Sequence, residues 1–269
     1  MKNYARSLSQ LASLLVLTFT LLRAVSAQST SPSGSYGYLL TASYSDPTQT
    51  NGSALLGVMN FDGAGNVTGS YTSEPDTQPA HTNAGAFTGT YSSNPDHTGS
   101  ITIKLDTGTS LTFAMVIADG GQGLQLVATD CSGGCGVGGA NLAQAAFSGT
   151  ARAAYTGAPN GAYGFLGAQS PNVAASVGVA SFDGAGNVTM SLTYVAPGGS
   201  SPQPFLLSGT RTGTYSLNPD GSGTMNFPAS GNGNAQTWVF VITDGGSGLQ
   251  FLQTRRSGDG VSFGTGRLQ

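Results

Sequence analysis

The chain is poor in charge: only 8% of its 269 residues are Asp, Glu, Lys or Arg. Glu74 is its one glutamate, Trp238 its one tryptophan, His81 and His97 its two histidines, and Cys131 and Cys135 its two cysteines. Each scarcity excludes a class of chemistry. A nucleophile–histidine hydrolase needs a histidine beside its nucleophile, and both histidines here fall between strand-like runs. Two thiols without further ligands do not make a zinc site. Arg255-Arg256 is the sole basic pair, so nothing is clustered to displace counterions from nucleic acid. Helical periodicity does not persist beyond a turn or two. The apolar run Leu11–Leu22 is shorter than the roughly 20 residues that a bilayer span requires.

That run has the marks of an export signal instead. Lys2 and Arg6 precede it, and Val25-Ser26-Ala27 offers small residues for cleavage. A signal peptide is expected over residues 1–27 and a flexible leader over 28–33. No cysteine follows the expected cut at Gln28, so no lipid anchor is expected. The mature chain keeps six basic residues against twelve carboxylates, a net charge of −6. Low charge accompanies disorder when apolar content is also low, but here apolar residues recur in short runs. The expectation is an ordered, exported β protein, periplasmic or extracellular, with an uncharged polar surface. A membrane-embedded barrel would need outward apolar bands and aromatic girdles on strands of about 9–11 residues. These runs are shorter and rich in Ser and Thr.

What the chain does have is duplication. FDGAGNVT stands at 61–68 and at 182–189, GTYSSNPDHTGS at 89–100 returns as GTYSLNPDGSGT at 213–224, and VIADGGQGLQL at 116–126 returns as VITDGGSGLQF at 241–251. Two copies of one domain are expected, over 34–152 and 161–269, joined by a linker at 153–160. Strand candidates in the first copy are Gly37–Ser43, Ser53–Phe61, Asn66–Thr72, Ala86–Ser92, Gly99–Asp106, Ser110–Ala118, Gly123–Thr129 and Ala145–Arg152. The second copy opens at Gly161 as the first does at Gly34. Its last strand, Phe263–Arg267, matches Phe147–Arg152 through F-(S)-G-T-x-R.

The turns have a mechanism. Asp-Gly between two apolar runs supplies residues that tolerate positive φ, a strong hairpin signal. Asp62, Gly63, Asp96 and Asp119, with Asp183, Gly184, Asp220 and Asp244 in the second copy, are therefore read as structural turn residues, where Asp bonds its own backbone. His97 stands where the second copy has Gly221, which marks it as a loop residue. Between turns the side chains alternate: Phe113, Met115 and Ile117 answer Trp238, Phe240 and Ile242, and Leu124 and Leu126 answer Leu249 and Phe251. Leu56 and Val58 answer Val177 and Val179 and are expected on the same core-facing side. Shared aromatics such as Tyr36/Tyr163 and Tyr91/Tyr215 are expected in the core. The fold class is all-β. Short hairpins predict two tandem antiparallel up-and-down β-barrels of about eight strands each, since closure removes the edges. Two β-sandwiches are the alternative. Such a barrel is just wide enough to be filled by side chains or to hold one small ligand.

As a set, the DGxGN, GTYxxNPDGxG and DGGxGLQ hairpins resemble those of secreted bacterial tandem-repeat β proteins of uncharacterised function. The resemblance covers nearly all of the mature chain and implies a barrel similar to calycin or allene-oxide-cyclase-like folds. It implies no catalytic residues.

The residues themselves supply no catalytic set either. Glu74 and Asp76, flanking Pro75, read as loop carboxylates. DGAGN carries one acid with Ala64 or Ala185 at its middle, too few oxygens for a calcium loop. No metal site and no cofactor is expected. Cys131 and Cys135 have no counterparts in the second copy, so a local disulfide is expected in an oxidising compartment. Asn51, Asn66 and Asn187 are glycan acceptors only in a host that glycosylates them. The expected function is a non-enzymatic exported binding module for a small apolar ligand or an envelope or extracellular partner. A structural or adhesive surface protein and a small barrel isomerase or cyclase are the alternatives, and no ligand-binding residue is identifiable.

Overall fold

The computed structural model describes residues 31–44, 53–75, 82–132, 136–137, 140–141, 145–170, 174–196, 205–229, 234–255 and 261–269. Alternating runs become strands wherever a turn can take positive φ. In the order of the chain these are β1 (Gly34–Tyr44), β2 (Ser53–Phe61), β3 (Asn66–Pro75), β4 (Asn83–Ser93), β5 (Thr98–Leu105), β6 (Ser110–Ala118), β7 (Gly123–Ser132), β8 (Gly136–Val137), β9 (Ala140–Asn141) and β10 (Ala145–Ala153). The second series is β11 (Asn160–Ser170), β12 (Ala174–Asp183), β13 (Asn187–Ala196), β14 (Phe205–Leu217), β15 (Ser222–Phe227), β16 (Gln236–Thr243), β17 (Gly248–Arg255) and β18 (Val261–Leu268).

Both series are antiparallel meanders that close. β1 pairs with β2 on one side (Leu39↔Leu56) and β10 on the other (Tyr38↔Ala151), and β11 pairs likewise with β12 and β18. Two eight-stranded barrels result, with β8 and β9 forming a separate small ribbon. Closure pairs every barrel strand on both sides, which an open sandwich would not.

The turns recur in detail. In DGAGN, Gly63 and Gly65 have φ of 76° and 102°, and Gly184 and Gly186 have 73° and 101°. The NPDxxG turn explains the His97/Gly221 exchange: both stand at positive φ, 67° and 85°. At Gly221 a Cβ would lie 2.6 Å from the Tyr155 carbonyl oxygen, so the packed connection between the barrels admits only glycine there.

Side chains fill the first barrel, with Tyr38, Phe113 and Phe147 among the fully buried ones. Edge-to-face rings chain Tyr36 to Phe61 (5.3 Å between centroids) and Phe61 to Tyr91 (4.9 Å). The second barrel repeats them as Tyr163–Phe182 (5.6 Å) and Phe182–Tyr215 (5.1 Å). Such pairs contribute about 0.5–1.5 kcal/mol each beyond area burial.

Leu56 and Val58 share a face, but not the core-facing one. Leu55, Met59 and Phe61 point into the barrel, while Leu56 and Val58 point outward into a second apolar cluster. There Leu39, Ala54, Leu56 and Val58 of the first barrel meet Val241 and Leu252 of the second, with Val239 and Phe263 partly buried beside them. β2 is thus buried on both faces, and a strand covered on both faces reads as a continuous apolar run.

The matched strands Phe147–Arg152 and Phe263–Arg267 differ in where their phenylalanines point. Phe147 is buried inside its barrel, whereas Phe263 joins the seam. FGTGR has one residue fewer than FSGTAR, and a one-residue slip moves a strand side chain to the opposite face.

The connection after β10 is held by both barrels: Ala154 N donates to Ser35 O (2.8 Å), Tyr155 N to Ile242 O (2.9 Å), and Tyr215 Oη to Pro159 O (3.3 Å). Glu74 also departs from the loop reading. It lies in β3 with no exposed surface, its Oε2 2.6 Å from the Thr82 hydroxyl, which is 2.9 Å from the Thr254 carbonyl of the second barrel.

Candidate binding groove

The DGG turns do more than reverse the chain. Asp119 and Asp244 open short 3-10 turns at φ of 52° and 54°, which a non-glycine residue adopts at some cost. Their carboxylates thereby face the ends of β10 and β18. Arg152 pairs with Asp119 through Nη1 and donates from Nε to Asp244 Oδ1 (3.1 Å), so one guanidinium links the two barrels. Arg267 occupies the corresponding place in the second barrel and donates to Asp244 Oδ2 (2.7 Å). Burial works against the charge on Arg152, but the bonds to Asp119 and Asp244 outweigh it and hold its pKa above the ordinary value. Tyr36 and Tyr163 fix the same two turns by donating to Gly121 O and Gly246 O.

Beside this ladder lies a groove of about 1140 Å³. Its floor is the outer surface of β11–β14. Leu166 and Val177, direct cross-strand neighbours, form its apolar part with Val179. Next comes a polar part in which hydroxyls pair across strands, Ser191 with Thr210 (2.9 Å) and Thr193 with Ser208 (3.3 Å). Gln125, Thr150 and Arg152 of the first barrel make the wall. The charged groups lining it, Arg152, Asp244 and Arg267, are paired with one another. The groove can hold an apolar surface and offer it hydroxyl and guanidinium donors along one edge.

The other singled-out residues lie elsewhere. Asp62 Oδ1 accepts from Ala64 N (2.7 Å) and Asn66 N (2.9 Å), and its Oδ2 from Asn66 Nδ2 (2.6 Å); Asp183 makes the equivalent bonds to Ala185 and Asn187. The Asn66 side chain and the turn amides hold the Asp62 carboxyl below the ordinary range, and Asn187 does the same for Asp183. Asp96 accepts from Thr98 Oγ1 and N, which lowers its pKa, and Asp220 accepts similarly from Ser222. His97 Nδ1 is buried without a hydrogen-bond partner. Cys131 is partly buried against the first core, and no free thiol occurs among the described residues. Cys135, His81, Asp76, Asn51, Arg256 and the expected signal peptide lie outside the described residues. Among the described residues no cluster of three or more His, Cys, Asp or Glu could hold a metal ion.

Two features escaped the sequence reading. One is the Tyr71–Asp106 pair: Tyr71 Oη donates to Asp106 Oδ1 (2.9 Å) and Ala86 N to Oδ2 (3.1 Å). Burial and the neighbouring carboxylate push the Tyr71 phenol up to about 12. The other is the groove. Its signal was present in Leu166 and Val177, which alternate out of phase with the core residues Phe165 and Ala180.

No protein-family model matches the chain, and no curated protein matches it in sequence. Among solved structures, a de novo designed fluorescence-activating β-barrel is similar to it, with 12% identity, a TM-score of 0.30 and coverage of 48% of this chain and 97% of the design. A double mutant of the vaccine antigen transferrin binding protein B from Haemophilus parasuis is similar at 9% identity and a TM-score of 0.27, covering 88% of this chain and 76% of that one. At these scores the likenesses assign no function.

Proposed function

We propose that the chain is an exported, non-enzymatic binding module that takes its partner on the outside of the barrels. One observation carries this reading: Leu166 and Val177 stand side by side on the groove floor with 67% and 57% of their surface in water. The first barrel's interior is occupied by its own side chains, so the open groove is the better receptor for an apolar surface. Exposed apolar patches rimmed by polar groups mark interaction sites, and here the rim is Arg152, Arg267 and the hydroxyl pairs. The Cys131–Cys135 bridge and the removal of residues 1–27 belong to the same reading, because a disulfide persists in an oxidising compartment. The expected products in an exported fraction are a chain beginning at Gln28 and a mass two hydrogens below the reduced value.

The test is titration with a fluorescent apolar probe such as an anilinonaphthalene sulfonate. Saturable binding to the wild type and its loss in Leu166→Asp/Val177→Asp, with an unchanged melting temperature, are expected. Equal probe binding by that variant would overturn the groove as the site.

A further inference from the structure

The seam between the barrels joins two different faces. The first barrel contributes the outer side of β1–β2 (Leu39, Leu56, Val58), and the second contributes the outer side of β16–β17 (Val241, Leu252). Because the sequence motifs repeat, each barrel carries a counterpart of both faces, and each has only one of them covered. In the second barrel, Leu166 and Val177 are the counterparts of Leu39 and Leu56. In the first, Val116 and Val127 are the counterparts of Val241 and Leu252. Leu39 and Leu56 are 7% and 2% exposed, and Val241 and Leu252 are fully buried. Leu166, Val177, Val116 and Val127 are 67%, 57%, 47% and 45% exposed. Four of the most exposed large apolar side chains among the described residues are thus the unpaired halves of an interface that the chain makes once with itself.

The charges repeat the pattern. Within the chain, Arg152 at the edge of the first barrel's β1–β2 face reaches Asp244 beside the second barrel's β16–β17 face. Their counterparts, Arg267 and Asp119, are of opposite sign and pair within the chain, with Asp244 and Arg152, yet keep 61% and 57% of their side chains exposed. The covered and uncovered faces of each closed barrel do not share a strand: β10 lies between them in the first barrel and β18 in the second.

We propose that copies of this chain associate head to tail, the β11–β12 face of one seating on the β6–β7 face of the next, with Arg267 brought to the partner's Asp119. This rests on the groove being a binding surface and names its occupant as a second copy. The contact is heterologous, so it repeats, closing into a ring or extending as a filament.

The test is sedimentation velocity on the full exported chain across a concentration series, at low and high salt. Two variants are compared, Leu166→Asp/Val177→Asp and Val116→Asp/Val127→Asp, each with a melting temperature matched to wild type. The wild type is expected to form oligomers that grow with concentration and weaken with salt. Each variant alone should be monomeric. An equimolar mixture should stop at a one-to-one dimer, since each variant retains the face that the other has lost. A wild type that stays monomeric throughout, or variants that each dimerise alone through the retained face, would overturn the proposal. Val116 and Val127 do not line the groove. Saturable probe binding by a strictly monomeric wild type would therefore refute self-docking and leave the binding reading standing, whereas loss of both would refute both.

Discussion

Replacing Leu39 and Leu166 by alanine, one at a time, tests the seam with the same substitution at the same place in the two copies. Leu39 is 7% exposed and packed on the second barrel, while Leu166 is 67% exposed. A buried Leu→Ala change costs about 2–5 kcal/mol, the spread reflecting how far the site collapses. Leu39 lies at a seam whose opposite wall can settle, which favours the lower end, about 2–3 kcal/mol. For a chain of this size each kcal/mol corresponds to roughly 2–4 °C in melting temperature, so Leu39→Ala should lower it by about 5–10 °C. Leu166→Ala should remain within about 0.5 kcal/mol of wild type, as exposed substitutions do. Urea unfolding followed by the fluorescence of Trp238, buried in the second barrel, and by circular dichroism measures both. Dilute protein keeps self-association out of the comparison. Equal losses for the two variants would refute an asymmetric seam, and so would a neutral Leu39→Ala.

Four further outcomes are expected. Asp62→Ala and Asp183→Ala should each lower the melting temperature by a similar amount without changing probe binding, since both carboxylates hold equivalent turns outside the groove; loss of binding at unchanged melting temperature would refute that. These carboxyls and that of Asp96 have depressed folded pKa values. Their stabilisation is therefore present above the unfolded carboxylate range and lost as pH falls through the folded values, and an acid titration of stability should steepen below about pH 4. Cys131→Ser/Cys135→Ser should fold and lose at most about 2 kcal/mol, because the loop that the proposed bridge would close is short; failure to fold would refute a merely local bridge. In an ultraviolet pH titration Tyr71 should ionise near 12, and Asp106→Asn should bring it down by removing a negative charge and an acceptor; an unmoved Tyr71 would show that burial alone sets its pKa.

Much of the fold was legible because its signals are local. Asp-Gly and Asn-Pro-Asp turns punctuate alternating runs, and such turns act over four or five residues whatever surrounds them. The exchange of His97 for Gly221 followed from one backbone angle. The groove was less legible. Leu166, Val177, Val116 and Val127 alternate as regularly as core residues, and exposed and buried valines look alike in one dimension. Glu74 beside Pro75 looked like a loop residue because its burial comes from a barrel about 180 residues further along the chain, through Thr82 and Thr254.

By itself the sequence determined the strands, their turns, the antiparallel meander and the double occurrence of the motifs, since hairpin order and side-chain alternation depend on neighbours in the chain. Only the tertiary structure decided three things. It closed each sheet into a barrel, because closure requires the first and last strands of a series to meet. It turned Leu56 and Val58 outward, because β2 is covered on both sides by contacts distant in sequence. It left one face of each barrel covered and its counterpart bare, because two barrels joined by a single connection can pair only one set of the faces that duplication supplied.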